Sequence, residues 1–137
     1  VCRMHFHDDI WIASLENKMR KTSDNIVISD VRFPNEIKAI HNAGGIVVRV
    51  KRGSDPTWYQ DAVNMNAGDH NISWALSSER IRKLGIHTSE TAWVGGNIDH
   101  ILSNDSTIDD LFNQLKNLVE VHQSSTDILP CEVPSGN

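Results

Sequence analysis

Apolar positions change period several times along this chain, and each change marks a predicted element. Ile10, Trp11, Leu15 and Met19, with Ile12 beside them, recur at helical spacing and predict a helix over residues 9–21. Lys18, Arg20 and Lys21 lie at its negative end. After the polar stretch from Thr22 to Asn25, Ile26, Val27 and Ile28 form a β-branched run of the kind found in strands buried on both faces. Pro34 suits the first turn of a helix, because its missing N–H would be unpaired there anyway. Ile37 and Ile40, with Ala39 and Ala43, supply that helix with an apolar stripe, and Gly44-Gly45 ends it. Ile46, Val47, Val48 and Val50 predict a second strand that closes at Lys51-Arg52-Gly53. Strand, helix and strand in succession make a βαβ unit, with parallel strands and a right-handed crossover.

Beyond it, Gly53-Ser54-Asp55-Pro56 reads as a turn, since Pro disfavours helix at the residue before it. Trp58, Tyr59, Val63 and Met65 suggest a short helix over residues 57–65, and residues 73–84 a firmer one stopped by Gly85. Ser89 could cap a further short helix. Residues 98–102 predict a third strand, ending in Ser103-Asn104-Asp105. Thr107 then caps a helix, with Asp110 in the place of the capping-box Glu. Ile108, Leu111, Phe112, Leu115, Leu118 and Val119 follow at spacings of three and four, the strongest amphipathic pattern in the chain. From Gln123 onward Ser, Thr, Pro and Gly dominate, and residues 123–137 are expected to form a loose tail. The expectation is one α/β domain over residues 1–122, a parallel sheet of about three strands flanked by helices.

Composition narrows the chemistry. The 137 residues are 39% hydrophobic and 23% charged, ordinary for one soluble globular domain. A net charge of −5 argues against a broad basic face for nucleic acid, yet a few local cations suffice for a small phosphorylated ligand. Cys2 and Cys131 could join the two tails, but a reduced, cytoplasmic protein is the simpler expectation. No run approaches a membrane span and no signal-peptide pattern opens the chain. Residue 1 is Val, which a processed or incomplete chain would explain. His5, His7, Asp8 and Asp9 superficially resemble a metal cluster, and a metal-dependent hydrolase on His5, His7 and Asp30 would carry bound zinc or manganese. Nothing in the spacing requires that, and a helix entrance with acidic first-turn residues accounts for the pattern better.

Ligands of open parallel sheets sit outside the carboxyl ends of the strands. Asp30 and Arg32 follow the first predicted strand and Arg52 follows the second. A carboxylate that can hold Mg²⁺, with guanidinium groups that fork onto phosphate oxygens, suits a phosphorylated ligand. The bland alternative is a surface Asp–Arg pair beside a strand-end Arg.

ISDVRFPNE, followed by an Ile-containing helix, Gly-Gly, an apolar strand and Arg, resembles the central segment of bacteriophage-type deoxynucleoside monophosphate kinases. These are P-loop proteins in the nucleotide-kinase group that also holds dephospho-coenzyme A kinase. HTSE at His87–Glu90 is similar to the family's HPSE-like stretch, and IDHILSNDSTIDDL at Ile98–Leu111 looks like its final strand, Asn-Asp and helix. The likeness covers roughly residues 8–120, and its DVRFPNE string is its most specific part. It implies a partial P-loop NTPase-like fold with residues 53–97 as a lid-like insertion, and phosphoryl transfer from ATP to a deoxynucleoside monophosphate with Mg²⁺. Asp30 would lie near the Mg²⁺ or orient its water, and Arg32 would hold the acceptor's phosphate. Arg52, Arg80 and Arg82, with Lys83 close by, would touch phosphate or serve the lid, and Asn104 and Asp105 would meet the adenine through backbone.

One required part is missing. A phosphate-binding loop GxxxxGK[ST] joins a strand to a helix, so that backbone N–H groups and the Lys cradle phosphates. The 137 residues contain no Gly-Lys pair; Gly44-Gly45 precedes a strand, and Gly95-Gly96-Asn97 lacks a Lys. The resemblance therefore implies a kinase fragment inactive by itself. The competing expectation is a non-catalytic α/β module for a phosphate ligand or partner, and an apolar sheet edge could self-associate as a homodimer.

Overall fold

Helical periodicity and its punctuation reappear in the computed structural model, which describes residues 10–126. Helix α1 spans Ile10–Lys21 and α2 spans Pro34–Asn42. Strand β1 (Val48–Lys51) follows, then α3 (Tyr59–Asn66), α4 (Ile72–Leu84), the single turn α5 (Thr88–Thr91), β2 (His100–Ser103) and α6 (Ile108–Thr126). Among these residues no helix is long and apolar enough to cross a membrane.

Capping explains where the helices start and stop. Phe33 stands extended before Pro34 and has no side-chain acceptor, so Glu36 acts alone: its Oε2 accepts from the N–H of Phe33 at 3.0 Å and of Arg32 at 2.8 Å. At α6 both halves of the box form, with Thr107 Oγ1 accepting from Asp110 N–H and Asp110 Oδ2 accepting from Thr107 N–H. At α5 the cap is His87 instead of Ser89, because the His87 Nδ1 accepts from Ser89 N–H at 3.1 Å. Gly85 ends α4 at φ +68°, and the Ile86 N–H reaches back to the Ile81 carbonyl. The last helix continues through the Ser/Thr-rich residues to Thr126.

The sheet corrects the expectation of three strands. Among the described residues it has two, β1 and β2, side by side. The Val47 carbonyl accepts from Asp99 N–H at 2.9 Å and the Lys51 carbonyl from Asn104 N–H at 2.7 Å, so both strands advance in the same direction. Ile26–Ile28 is irregular, and Val27 is 92% exposed. A β-branched run becomes a strand only when a neighbour takes up its backbone groups, and β1 gives its ladder to β2. Ile28 and Val31 contribute side chains to the core without joining the sheet. The architecture is thus mixed α/β with a small parallel sheet and flanking helices, and the described residues do not assemble the P-loop fold.

The chain divides into two compact units, whose described residues are 10–48 with 54–100, and 49–53 with 101–126. In the first, Ile37, Ile40 and Val47 form one apolar cluster, with Ile28, Val31, Trp93 and Ile98 against it. Ala62, Ile81 and Val94 form another, with Trp58, Tyr59, Val63, Met65, Ile86 and again Trp93 around it. Gly96 is required where the backbone turns beside the first cluster, since a Cβ there would lie 2.9 Å from the Trp93 carbonyl and 3.0 Å from Ile37 Cδ1. The second unit holds most of both strands and all of α6, with Leu102 and Leu118 buried.

Candidate phosphate-binding site

Asp30 and Arg32 lie in the irregular segment leading into α2, not on the rim of a parallel sheet, because the strand expected before them does not form. They do meet. Arg32 Nε donates to Asp30 Oδ1 at 2.5 Å, and both side chains are exposed to solvent. The hydrogen bond that Arg32 donates to Asp30 pushes the Arg32 pKa further up, with the Asp30 charge next, against an opposing desolvation and with smaller contributions from Glu90 and Glu36. Glu90 belongs to the HTSE stretch, whose charge therefore reaches Arg32. Glu36 adds rigidity, since its carboxylate fixes the Arg32 and Phe33 N–H groups.

Pro34, two residues after Arg32, is among the walls of a groove of about 260 Å³. Ile37, Lys38 and His41, at helical spacing on α2, and Gly96 and Asn97 complete it. His41 Nε2 lies 2.8 Å from Asp99 Oδ2, which also accepts from Val47 N–H at 2.6 Å. Sequence reasoning missed this pair. His41 sits near the end of α2 and Asp99 is 58 residues away, so only the tertiary fold brings them together.

Asp99 is held below the usual carboxylate range, first by the Val47 N–H and then by His41, against an opposing desolvation. Because the unfolded chain has the ordinary, higher value, unfolding takes up a proton as the solution becomes acid. The contribution is complete above about pH 5 and is lost as pH falls through the lowered folded value. In urea denaturation the stability gap between wild type and Asp99→Asn is therefore expected to shrink between pH 5 and 3. A gap constant across that range would contradict the assignment.

The other guanidinium candidates of the first unit are engaged on their own helix layer. Arg80 forks onto Asp61, with Nε 2.9 Å from Oδ1 and 3.0 Å from Oδ2. Arg82 holds Glu79 one turn back, and Lys83 also approaches Glu79. In the second unit, Arg52 follows β1, and Asn104 and Asp105 follow β2, so these three do lie at carboxyl ends of parallel strands. Asp105 Oδ1 accepts from Gly53 N–H at 2.5 Å and Oδ2 from the Ser103 hydroxyl at 2.8 Å. Those bonds, more than the nearby charges of Lys51 and Arg52, lower its pKa. The Asn104 N–H is spent on the Lys51 carbonyl. Asp105 thus ties the two strand ends together.

Asp30 Oδ1 is occupied by a guanidinium, which an incoming cation would have to displace, and no group of three or more His, Cys, Asp or Glu converges among the described residues. His5, His7, Cys2 and Cys131 lie outside the described residues.

Compared with known protein families, curated proteins and solved structures, the chain matches none. Fold and site together define a class only: a mixed α/β protein with a two-stranded parallel sheet and an anchored Arg at the head of a helix.

Proposed function

We propose that this chain supplies the acceptor side of a nucleoside monophosphate kinase, in which Arg32 holds the phosphate of a deoxynucleoside monophosphate. The observation that carries the reading is the anchored Arg32. Asp30 fixes its Nε, Glu36 fixes its backbone, and the helix it precedes lines a groove. A guanidinium oriented in this way presents donors to phosphate oxygens with little further loss of freedom. Lys38, His41 and Asn97 give the groove polar groups suited to a sugar and base. The resemblance of DVRFPNE to the kinase family supports the same reading, with ATP as donor and a cytoplasmic setting. A donor-phosphate cradle would come from sequence other than these 137 residues.

Calorimetric titration of the chain with a deoxynucleoside monophosphate and with the matching nucleoside tests this. The monophosphate is expected to bind more tightly, and Arg32→Ala to weaken it about 10- to 100-fold, the range for a charge-assisted hydrogen bond. Equal affinity for the two ligands, or an unaffected Arg32→Ala, would remove the proposal.

A second reading, a non-catalytic phosphate-ligand module, is favoured by the state of Arg80 and Arg82. Both are neutralised by carboxylates, whereas a catalytic lid needs cations for the charge on the transferred group. Phosphoryl transfer by the product of the full reading frame separates the two: the kinase turns over, and the module binds without turnover.

A further inference from the structure

Helix α6 has a covered stripe and an exposed apolar one. Leu111, Gln114 and Leu118 form the covered one; Leu118 is buried, and Gln114 donates to the Ser103 carbonyl and accepts from the Ser103 N–H. The other stripe is Ile108, Phe112, Leu115 and Val119, which remain 68%, 62%, 43% and 46% exposed. Their spacing of four, three and four is that of alternating d and a positions in a heptad. Asp109 and Lys116 then both fall at e positions, flanking the seam.

The charges select the partner and its direction. In an antiparallel pairing of two such helices, a and d positions share layers, setting Ile108 against Val119 of the second copy and Phe112 against its Leu115. The same register places Asp109 beside Lys116 of the second copy, twice, by symmetry. In a parallel pairing each e position lies beside the g position five residues earlier on the second helix, so Lys116 would meet Leu111 and Asp109 would have no helical g partner, because residue 104 precedes the helix. Lys116 is well exposed and lies 3.9 Å from Glu120, a distance from which it can turn outward at little cost.

We infer that α6 is a self-association surface, on which two copies of this chain dock antiparallel through Ile108, Phe112, Leu115 and Val119, with Asp109 and Lys116 fixing the register. This places the contact on a helix face, not on a sheet edge, and it stands independently of any ligand at Arg32. Four apolar side chains per copy bury less than the roughly 800 Å² per partner of a standard stable interface, so a weak, concentration-dependent dimer is expected, to be sought from about 1 μM to about 1 mM.

Sedimentation equilibrium of the full chain across that range tests it. Wild type is expected to shift from monomer to dimer, and Leu115→Glu to remain monomeric with an unchanged circular dichroism spectrum. Asp109→Lys and Lys116→Asp should each weaken self-association on the order of tenfold, because each sets like charges together. An equimolar mixture of these two variants should restore dimer, since opposite charges meet again across the mixed interface. Wild type that stays monomeric up to about 1 mM would overturn the inference. So would dimer retained in Leu115→Glu, or a mixture no more dimeric than its components, the latter also excluding the antiparallel register.

Discussion

Asp61→Ala is expected to destabilise the first unit by about 2 to 3 kcal/mol, one of the two largest single-residue effects anticipated. Asp61 is the shared acceptor between α3 and α4. It takes a forked hydrogen bond from Arg80 and another from the Ser77 hydroxyl at 2.9 Å. Ser77 is fully buried and also accepts from Asn64 Nδ2 at 3.3 Å. Removing the carboxylate therefore leaves the buried Ser77 hydroxyl without its acceptor and Arg80 with only its 3.3 Å contact from Nη2 to Ser77 Oγ. The Arg80 hydrogen bond lowers the Asp61 pKa despite an opposing desolvation, which shows where the attraction is concentrated. Arg80 is half in water, so the loss stays below the 3 to 5 kcal/mol typical of breaking a fully buried pair. Arg82→Ala provides the contrast: its partner Glu79 is exposed on the same helix, and the change should stay under about 0.5 kcal/mol. Urea midpoints for the two variants measure this difference, and equal midpoints would refute the ranking.

Trp93→Ala is the second, with an expected cost of about 3 to 4 kcal/mol. Its indole packs against both apolar clusters of the first unit, and its ring centroid lies 6.1 Å from that of Tyr59. Truncation would open a cavity bordering Ile37 and Ile40 on one side and Ala62 and Val94 on the other. Neighbouring helices cannot collapse into that space without giving up contacts elsewhere. Because one residue serves both clusters, Ile37→Ala and Ile81→Ala should each couple to Trp93→Ala in double-mutant cycles by at least about 0.5 kcal/mol. Strict additivity in denaturant-derived stabilities would show that the two clusters are joined by something other than this indole.

These effects rest on residues of unequal legibility. Pro34, Gly85 and the Thr107–Asp110 box mark helix ends through chemistry contained within a few residues, and the structure places α2, α4 and α6 accordingly. The Ile108–Val119 periodicity is equally local. By contrast, Ile26–Ile28 carries the composition of a buried strand and does not become one, because pairing depends on a neighbour that local composition cannot specify. His87 replaces Ser89 as the cap of α5 for a subtler reason: its ring nitrogen accepts as well as a hydroxyl does, a role seldom read into His. Arg80 and Arg82 look alike in sequence, two residues apart on one helix. Their difference arises because only Arg80 faces Asp61 across the helix pair.

Within the candidate site the division is the same. Asp30, Arg32 and Glu36 fall within one short segment, and their hydrogen bonds span at most four residues, so the sequence alone was enough to single out the place. The groove beside it required α2, the Gly96 turn and Asp99 to converge from distant parts of the chain. What the sequence determined by itself was the longer helices, the Pro34 start of α2, the Gly85 stop of α4, the Thr107–Asp110 box of α6 and the Asp30–Arg32 pair, because each is settled by bonds between near neighbours. Only the tertiary structure decided that the sheet has two strands, that His41 meets Asp99, and that Trp93 joins two clusters. Those outcomes turn on contacts between segments far apart in the chain, for which hydrophobic periodicity carries no address.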